Sequence, residues 1–129
     1  MRVVFDTNIF VSAFVLPGSR ADAAPHRVID ADELVISKVI IDELLTVLAR
    51  KFARDADELA RVAVFLADLA SVVRPRGRID VLQDDSDNRI LECARTGRAD
   101  LIVTGDKAML QIGSYQKTRI ISLREYLAS

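Results

Sequence analysis

Short β-branched runs alternate with longer amphipathic stretches along the whole chain. Arg2 to Phe5 reads as a strand that runs directly into Asp6, and Asn8 to Leu16 as a short apolar helix stopped by Pro17-Gly18. A helix is predicted from Pro25 to Asp32, with proline suited to a first helical position, and a strand over Leu34 to Ile36. Ser37 is placed to cap a helix from Lys38 to Phe52. Asp55 and Glu58 open a further helix to Leu69 in the manner of a capping box, and Ser71 to Val73 reads as a third strand. Ser86 is placed to cap a helix from Asp87 to Thr96, which Gly97 ends. Leu101 to Val103, Lys107 to Gln111 and Arg119 to Ile121 complete the series as strand, short helix and strand.

Strands that are apolar throughout, alternating with helices, predict an α/β fold. The expected architecture is a three-layer α/β/α sandwich around a parallel sheet of about five strands. The chain has 129 residues and neither an internal repeat nor a long linker, so residues 1–129 read as a single domain. In such folds ligands gather at the carboxyl ends of the strands, where the strand order reverses.

The acidic residues expected at that edge form a pattern. Asp6 follows the first strand directly, and Asp106 follows the fourth through Thr104-Gly105. Asp87 opens a helix and shares its stripe with Ile90, Leu91 and Ala94. Glu43 lies among Val39, Ile40, Leu44 and Val47, an apolar face where a carboxylate is rarely placed without a partner. Each has a plainer reading when taken alone. Asp6 fits a helix cap, Asp87 a first-turn acid favoured by the helix dipole, Glu43 a buried pair with an arginine, and Asp84 and Asp85 a solvated acidic loop. Chance placement of all four at one edge is much less expected than any single plain reading. Two unit charges 4 Å apart repel by about 4 kcal/mol at an effective dielectric near 20. Such a cluster therefore demands raised pKa values or a cation, and an all-oxygen donor set suits Mg2+ or Mn2+ rather than zinc.

Composition narrows the picture further. Half the residues are hydrophobic and 29% are charged, which excludes a disordered chain. The net charge of −1 advertises no global affinity for nucleic acid, so any basic binding surface must be local. Arg74, Arg76 and Arg78 form one such cluster, for which a solvated loop is the plainer reading. Arg50 and Lys51 fit cations at a helix end. His26 lies outside the acidic motifs, and the lone cysteine, Cys93, reads as buried packing. The N-terminus lacks the apolar stretch of a signal peptide, and no uncharged run approaches the roughly 18 residues of a membrane span. The sequence predicts a soluble, cytoplasmic protein.

At these residues the chain resembles the PIN-domain family, in particular its bacterial branch of VapC-like toxin–antitoxin proteins. The matching pieces are Asp6-Thr7-Asn8, Ser37 with Glu43, Asp84-Asp85-Ser86-Asp87-Asn88, and Val103-Thr104-Gly105-Asp106-Lys107. Each motif is weak alone; together and in order they are specific. The resemblance implies that Asp6, Glu43, Asp87 and Asp106 are the metal-holding and catalytic acids, with Asn8 and Thr104 as supporting polar positions. Where this branch often has proline and a further aspartate, Asp85 and Ser86 stand here, which leaves the part played by Asp84 open. The resemblance further implies Mg2+- or Mn2+-dependent hydrolysis of RNA, a small antitoxin protein as partner, and a homodimer.

Other Asp-based chemistries fit less well. A phosphatase of the haloacid dehalogenase type wants a second aspartate where Asn8 stands. A receiver-like signalling domain leaves Glu43 unexplained. A PIN nuclease in RNA processing, or a PIN domain that binds without cleaving, shares the acidic pattern, and cleavage assays separate these readings.

Overall fold

The computed structural model describes residues 1–129. In chain order the elements are β1 (Arg2–Phe5), α1 (Thr7–Val15), α2 (Ala23–Ala31), β2 (Glu33–Ser37), α3 (Lys38–Phe52), α4 (Ala56–Leu69) and β3 (Ser71–Val73). These are followed by α5 (Asp85–Thr96), β4 (Leu101–Val103), α6 (Lys107–Ile112), β5 (Ser114–Tyr115), β6 (Thr118–Ile121) and α7 (Leu123–Ala128). A short 3-10 turn, Arg20–Asp22, leads into α2.

The strands form one sheet in the order β3-β2-β1-β4-β6-β5. All neighbours are parallel except β5, which pairs antiparallel with β6. Val3, Val4 and Phe5 of β1 and Leu101, Ile102 and Val103 of β4 are all buried, the mark of strands covered on both faces. Right-handed crossovers place the helices after β1 and β2 on one face of the sheet and α5 and α6 on the other. The fold is thus the expected mostly parallel α/β sandwich, with a core cluster of 28 buried residues.

Several local expectations need correction. The sheet has six strands, because the two-residue β5 forms a hairpin edge too short to show a period. Helix α2 begins two residues before Pro25, so proline is not its first residue. The capping box at α4 is half-formed: Asp55 accepts the Glu58 amide at 2.9 Å, while the Glu58 side chain turns to Arg54 at 3.3 Å. Asp84, not Ser86, caps α5, accepting the Ser86 amide at 3.0 Å, so the helix starts at Asp85. Val39 is 48% exposed, so the buried line of α3 is Ile40, Leu44 and Leu48. Helix α7 was not expected; Ser122 caps it, and Tyr126 packs on Phe5 and donates to Asp32 Oδ2 at 2.7 Å.

The order reverses between β1 and β4. β1 leads outward to β2 on one side, and β4 leads to β6 on the other. The carboxyl ends of this central pair open the crevice at which such sheets bind ligands.

Candidate active site

Asp6 and Asp106 flank that crevice. Asp6 leaves β1, 4% exposed, and its amide donates to Val103 O of β4 at 2.9 Å. Its Oδ1 accepts the Asn8 amide at 3.2 Å, which caps α1. Its Oδ2 accepts the Thr104 hydroxyl at 2.6 Å. The same Thr104 oxygen accepts the Asp106 amide at 3.0 Å, and Asp106 Oδ2 accepts Met109 N at 3.1 Å as the cap of α6. The two aspartates are therefore helix caps and crevice carboxylates at once. A capping carboxylate keeps a free lone pair, so one role does not exclude the other.

Asp87 sits in the first turn of α5, 6% exposed, with its carboxyl facing Asp106. Burial, then the hydrogen bond and charge of Asp106, then the charges of Asp6 and Asp84, push its pKa up to about 7. Burial also raises Asp6 above the ordinary carboxylate value, against the Thr104 and Asn8 hydrogen bonds, and the charges of Asp106 and Asp84 add to the rise. Glu43 is half-buried on α3. Burial, Asp6 and Asp84 raise its pKa, while the nearby Ser86 and Thr7 hydroxyls pull it down.

The structure thus brings Asp6, Glu43, Asp87 and Asp106 to one edge, and adds Asp84 to the same field. No lysine or arginine lies within 4.0 Å of any of these five carboxylates; every ion pair in the molecule joins other residues. A buried arginine partner for Glu43 is excluded. Lys107, next to Asp106, is exposed and unpaired. No three of these acids are grouped closely enough to form a ready-made coordination shell, although Asp87 and Asp106 meet in a hydrogen bond.

The donor set nevertheless fits a hard divalent cation. All donors are oxygens, the excess negative charge is balanced by no side chain, and buried Thr7 Oγ1 beside Glu43 has no hydrogen-bond partner. His26 is exposed on α2 and Cys93 is buried under α5 with its thiol pushed up to about 12, so neither enters the site. Asn8 contributes its backbone, while its residue is exposed.

Asn88, which the sequence reading named only as part of a motif, and Glu92, which it missed, hold the approach to α5. Asn88, buried, accepts the Val81 and Leu82 amides at 3.1 and 2.9 Å and donates to Leu82 O at 2.8 Å. Glu92, buried, accepts the Ile79 amide at 2.8 Å and pairs with Arg89 at 2.9 Å. They pin the loop that delivers Asp84 and Asp87. Polar residues on the stripe of Leu91 were the available signal, because a buried amide or carboxylate must find partners.

A family model described as "PIN domain" matches residues 2–108. An uncharacterized protein of Methanocaldococcus jannaschii is 25% identical over 122 residues, spanning 91% of this chain and 78% of its own length. Among solved structures, the VapBC2 complex of Rickettsia felis bound to a promoter DNA fragment aligns with a TM-score of 0.66 at 14% identity, covering 95% of this chain and 98% of the matched one. VapBC-1 of nontypeable Haemophilus influenzae aligns with a TM-score of 0.66 at 16% identity, covering 96% and 99%. At these identities the two complexes establish likeness of fold.

Proposed function

We propose, on the premise that the chain belongs to the PIN-domain family, that it is a divalent-metal-dependent endoribonuclease. We assign it to the toxin side of a VapC-like toxin–antitoxin pair. The observation that carries the nuclease reading is the edge cluster of Asp6, Glu43, Asp87 and Asp106, buried or half-buried and without a cationic partner.

Asp6 and Asp106 would hold the cation, with Asp87 and Glu43 completing the oxygen donors. When bound, Mg2+ or Mn2+ supplies Lewis acidity and neutralises charge on the carboxylates and the phosphate. The remaining work falls to the chain. Thr104 fixes the Asp6 carboxylate and, through its second hydrogen bond, the backbone that carries Asp106. Burial and Asp106 raise Asp87 to about 7, and a bound cation would favour its charged form. Glu43, half-exposed beside the cluster and raised by burial, would take a proton from an attacking water. The buried Thr7 hydroxyl lies beside Glu43 and would steady its charged form. Asn88 and Glu92 keep the Asp84–Asp87 segment in register.

The partner reading rests on a different surface. Phe14, Leu48, Leu59 and Val62, with the charged Arg54, Glu58 and Arg61, line a groove of about 240 Å³ between α1, α3 and α4, and Phe65 (41% exposed) and Val64 (59%) add apolar surface on α4. An antitoxin segment or a second copy of the chain would cover such a face, and the structural neighbours are VapBC complexes. Residues 1–129 would act as one domain, in the cytoplasm; no helix is long and apolar enough to cross a membrane.

Incubation of the purified chain with labelled RNA tests the activity. Internal cleavage is expected with Mg2+ or Mn2+ and none with excess EDTA; full cleavage in EDTA would rule the mechanism out.

A further inference from the structure

A second polar cleft lies at the other end of the sheet. The segment that leaves α5 and enters β4 forms one lip, carrying Arg95, Arg98 and Asp100, and the β5–β6 turn forms the other, carrying Tyr115 and Lys117. The cleft measures about 520 Å³, within the range of small-molecule sites. Its lips are tied together: Thr118 Oγ1 donates to Ala99 O at 2.7 Å and Arg119 N to Asp100 O at 3.0 Å. The opening is a fixed feature of the sheet edge.

Its charge is unbalanced. Asp100 is the one acid on its wall, and Asp100 Oδ2 is engaged by the Arg2 amide at 2.8 Å. Arg95 donates to Arg76 O at 2.8 Å, which brings the Arg74–Arg78 loop alongside. The side chains of Arg98 and Lys117 are exposed at the mouth of the cleft and make neither an ion pair nor a side-chain hydrogen bond, so both are free to meet an anion.

The backbone of both lips is held by tight turns. Arg98 (φ 52°) and Gln116 (φ 53°) are two of the three non-glycine residues in the left-handed region, and both line this cleft. Glycine would occupy either position without steric cost. Arg98 follows the C-cap Gly97 of α5 and Gln116 lies in the β5–β6 turn, both usual places for this conformation, and the turn at Arg98 sets its long cation beside the cleft.

We propose that this cleft is a nucleotide-binding site. Arg98 and Lys117 take the phosphate, with the Arg76-bound Arg95 beside them, and the half-exposed Tyr115, packed in part on the core, gives the base its exposed edge. A free nucleotide and one nucleotide of a single strand present the same chemistry. The site stands apart from the carboxylate edge and does not depend on whether that edge cleaves RNA.

Binding is measured on the full chain in EDTA, by anisotropy of a labelled oligoadenylate and by calorimetric titration of AMP. At least one probe should bind. Arg98→Gly and Lys117→Gln should each weaken it by about tenfold or more, and each should lower the slope of log K against log salt for the oligonucleotide by about one. Arg98→Gly should keep or raise the melting temperature, which separates lost binding from lost fold. Displacement of the oligonucleotide by AMP assigns a mononucleotide-sized site; binding of the oligonucleotide alone assigns a strand contact. Failure of both probes to bind, or wild-type affinity in both variants, overturns the proposal.

Discussion

The Thr104 hydroxyl donates to Asp6 Oδ2 at 2.6 Å, across 98 residues of sequence and from one central strand to the next. With its oxygen also accepting the Asp106 amide at 3.0 Å, this one side chain sets the relative position of two crevice carboxylates. Thr104→Val keeps the shape and removes the bond. It should destabilise the protein by about 1–3 kcal/mol, because a buried charged acceptor loses its donor. It should also raise the Asp6 pKa further and weaken Mn2+ binding. Thr104→Ser should restore both. Melting curves and calorimetric titration check this; a valine variant with wild-type metal affinity would remove Thr104 from the site.

The pH dependence has a definite sign. Asp87 is raised to about 7, and Asp6 and Glu43 are raised as well, so the folded metal-free protein binds more protons than the unfolded chain. Stability from these groups is fully present below the unfolded carboxylate range, near pH 4, and is lost as pH rises toward about 7. In EDTA, the melting temperature of the wild type should fall relative to Asp87→Asn between pH 5 and pH 7.5, the endpoints spanning roughly that window. Parallel curves would contradict the raised Asp87.

Glu43 has no arginine partner, so removing its charge strands no cation. Glu43→Gln should leave the melting temperature in EDTA unchanged or higher and weaken Mn2+ binding by roughly 10–100-fold. An unstable variant with normal metal affinity would make Glu43 a structural residue.

Gly97 fixes the closeness of α5 to the sheet. A Cβ there would collide with Val35 Cγ1 of β2, although the backbone φ of −81° is open to any residue. Gly97→Ala should cost about 1–3 kcal/mol through overpacking. A melting temperature equal to wild type would show that the packing at this crossing is looser than described.

What the sequence could disclose followed from how local the cause was. Ser37 as cap gave the start of α3 and the apolar run to Phe52 its end, both as observed, because a cap and an apolar run are written within one element. Asp6 and Asp106 were placed at one edge by following two apolar strands, without helical geometry. The loop-holding roles of Asn88 and Glu92 were missed because their partners are backbone amides of residues 79–82, a segment with no period to read. The cap of α5 was assigned to Ser86 rather than Asp84, since both residue types cap and only the loop geometry decides. Val39 was read as facing the core, but the buried line runs through Ile40, Leu44 and Leu48, and Val39 lies beside it on the flank shared with the half-buried Glu43 and Val47.

The most direct measurement is RNA cleavage by Asp6→Asn beside the wild type, in Mg2+ or Mn2+, with the melting temperature of both in EDTA. Asparagine caps a helix as well as aspartate and still accepts one hydrogen bond, while the cluster loses a negative charge. The account predicts loss of cleavage together with an unchanged or higher melting temperature. Cleavage at the wild-type rate, or a marked fall in stability as for a purely structural cap, would contradict it.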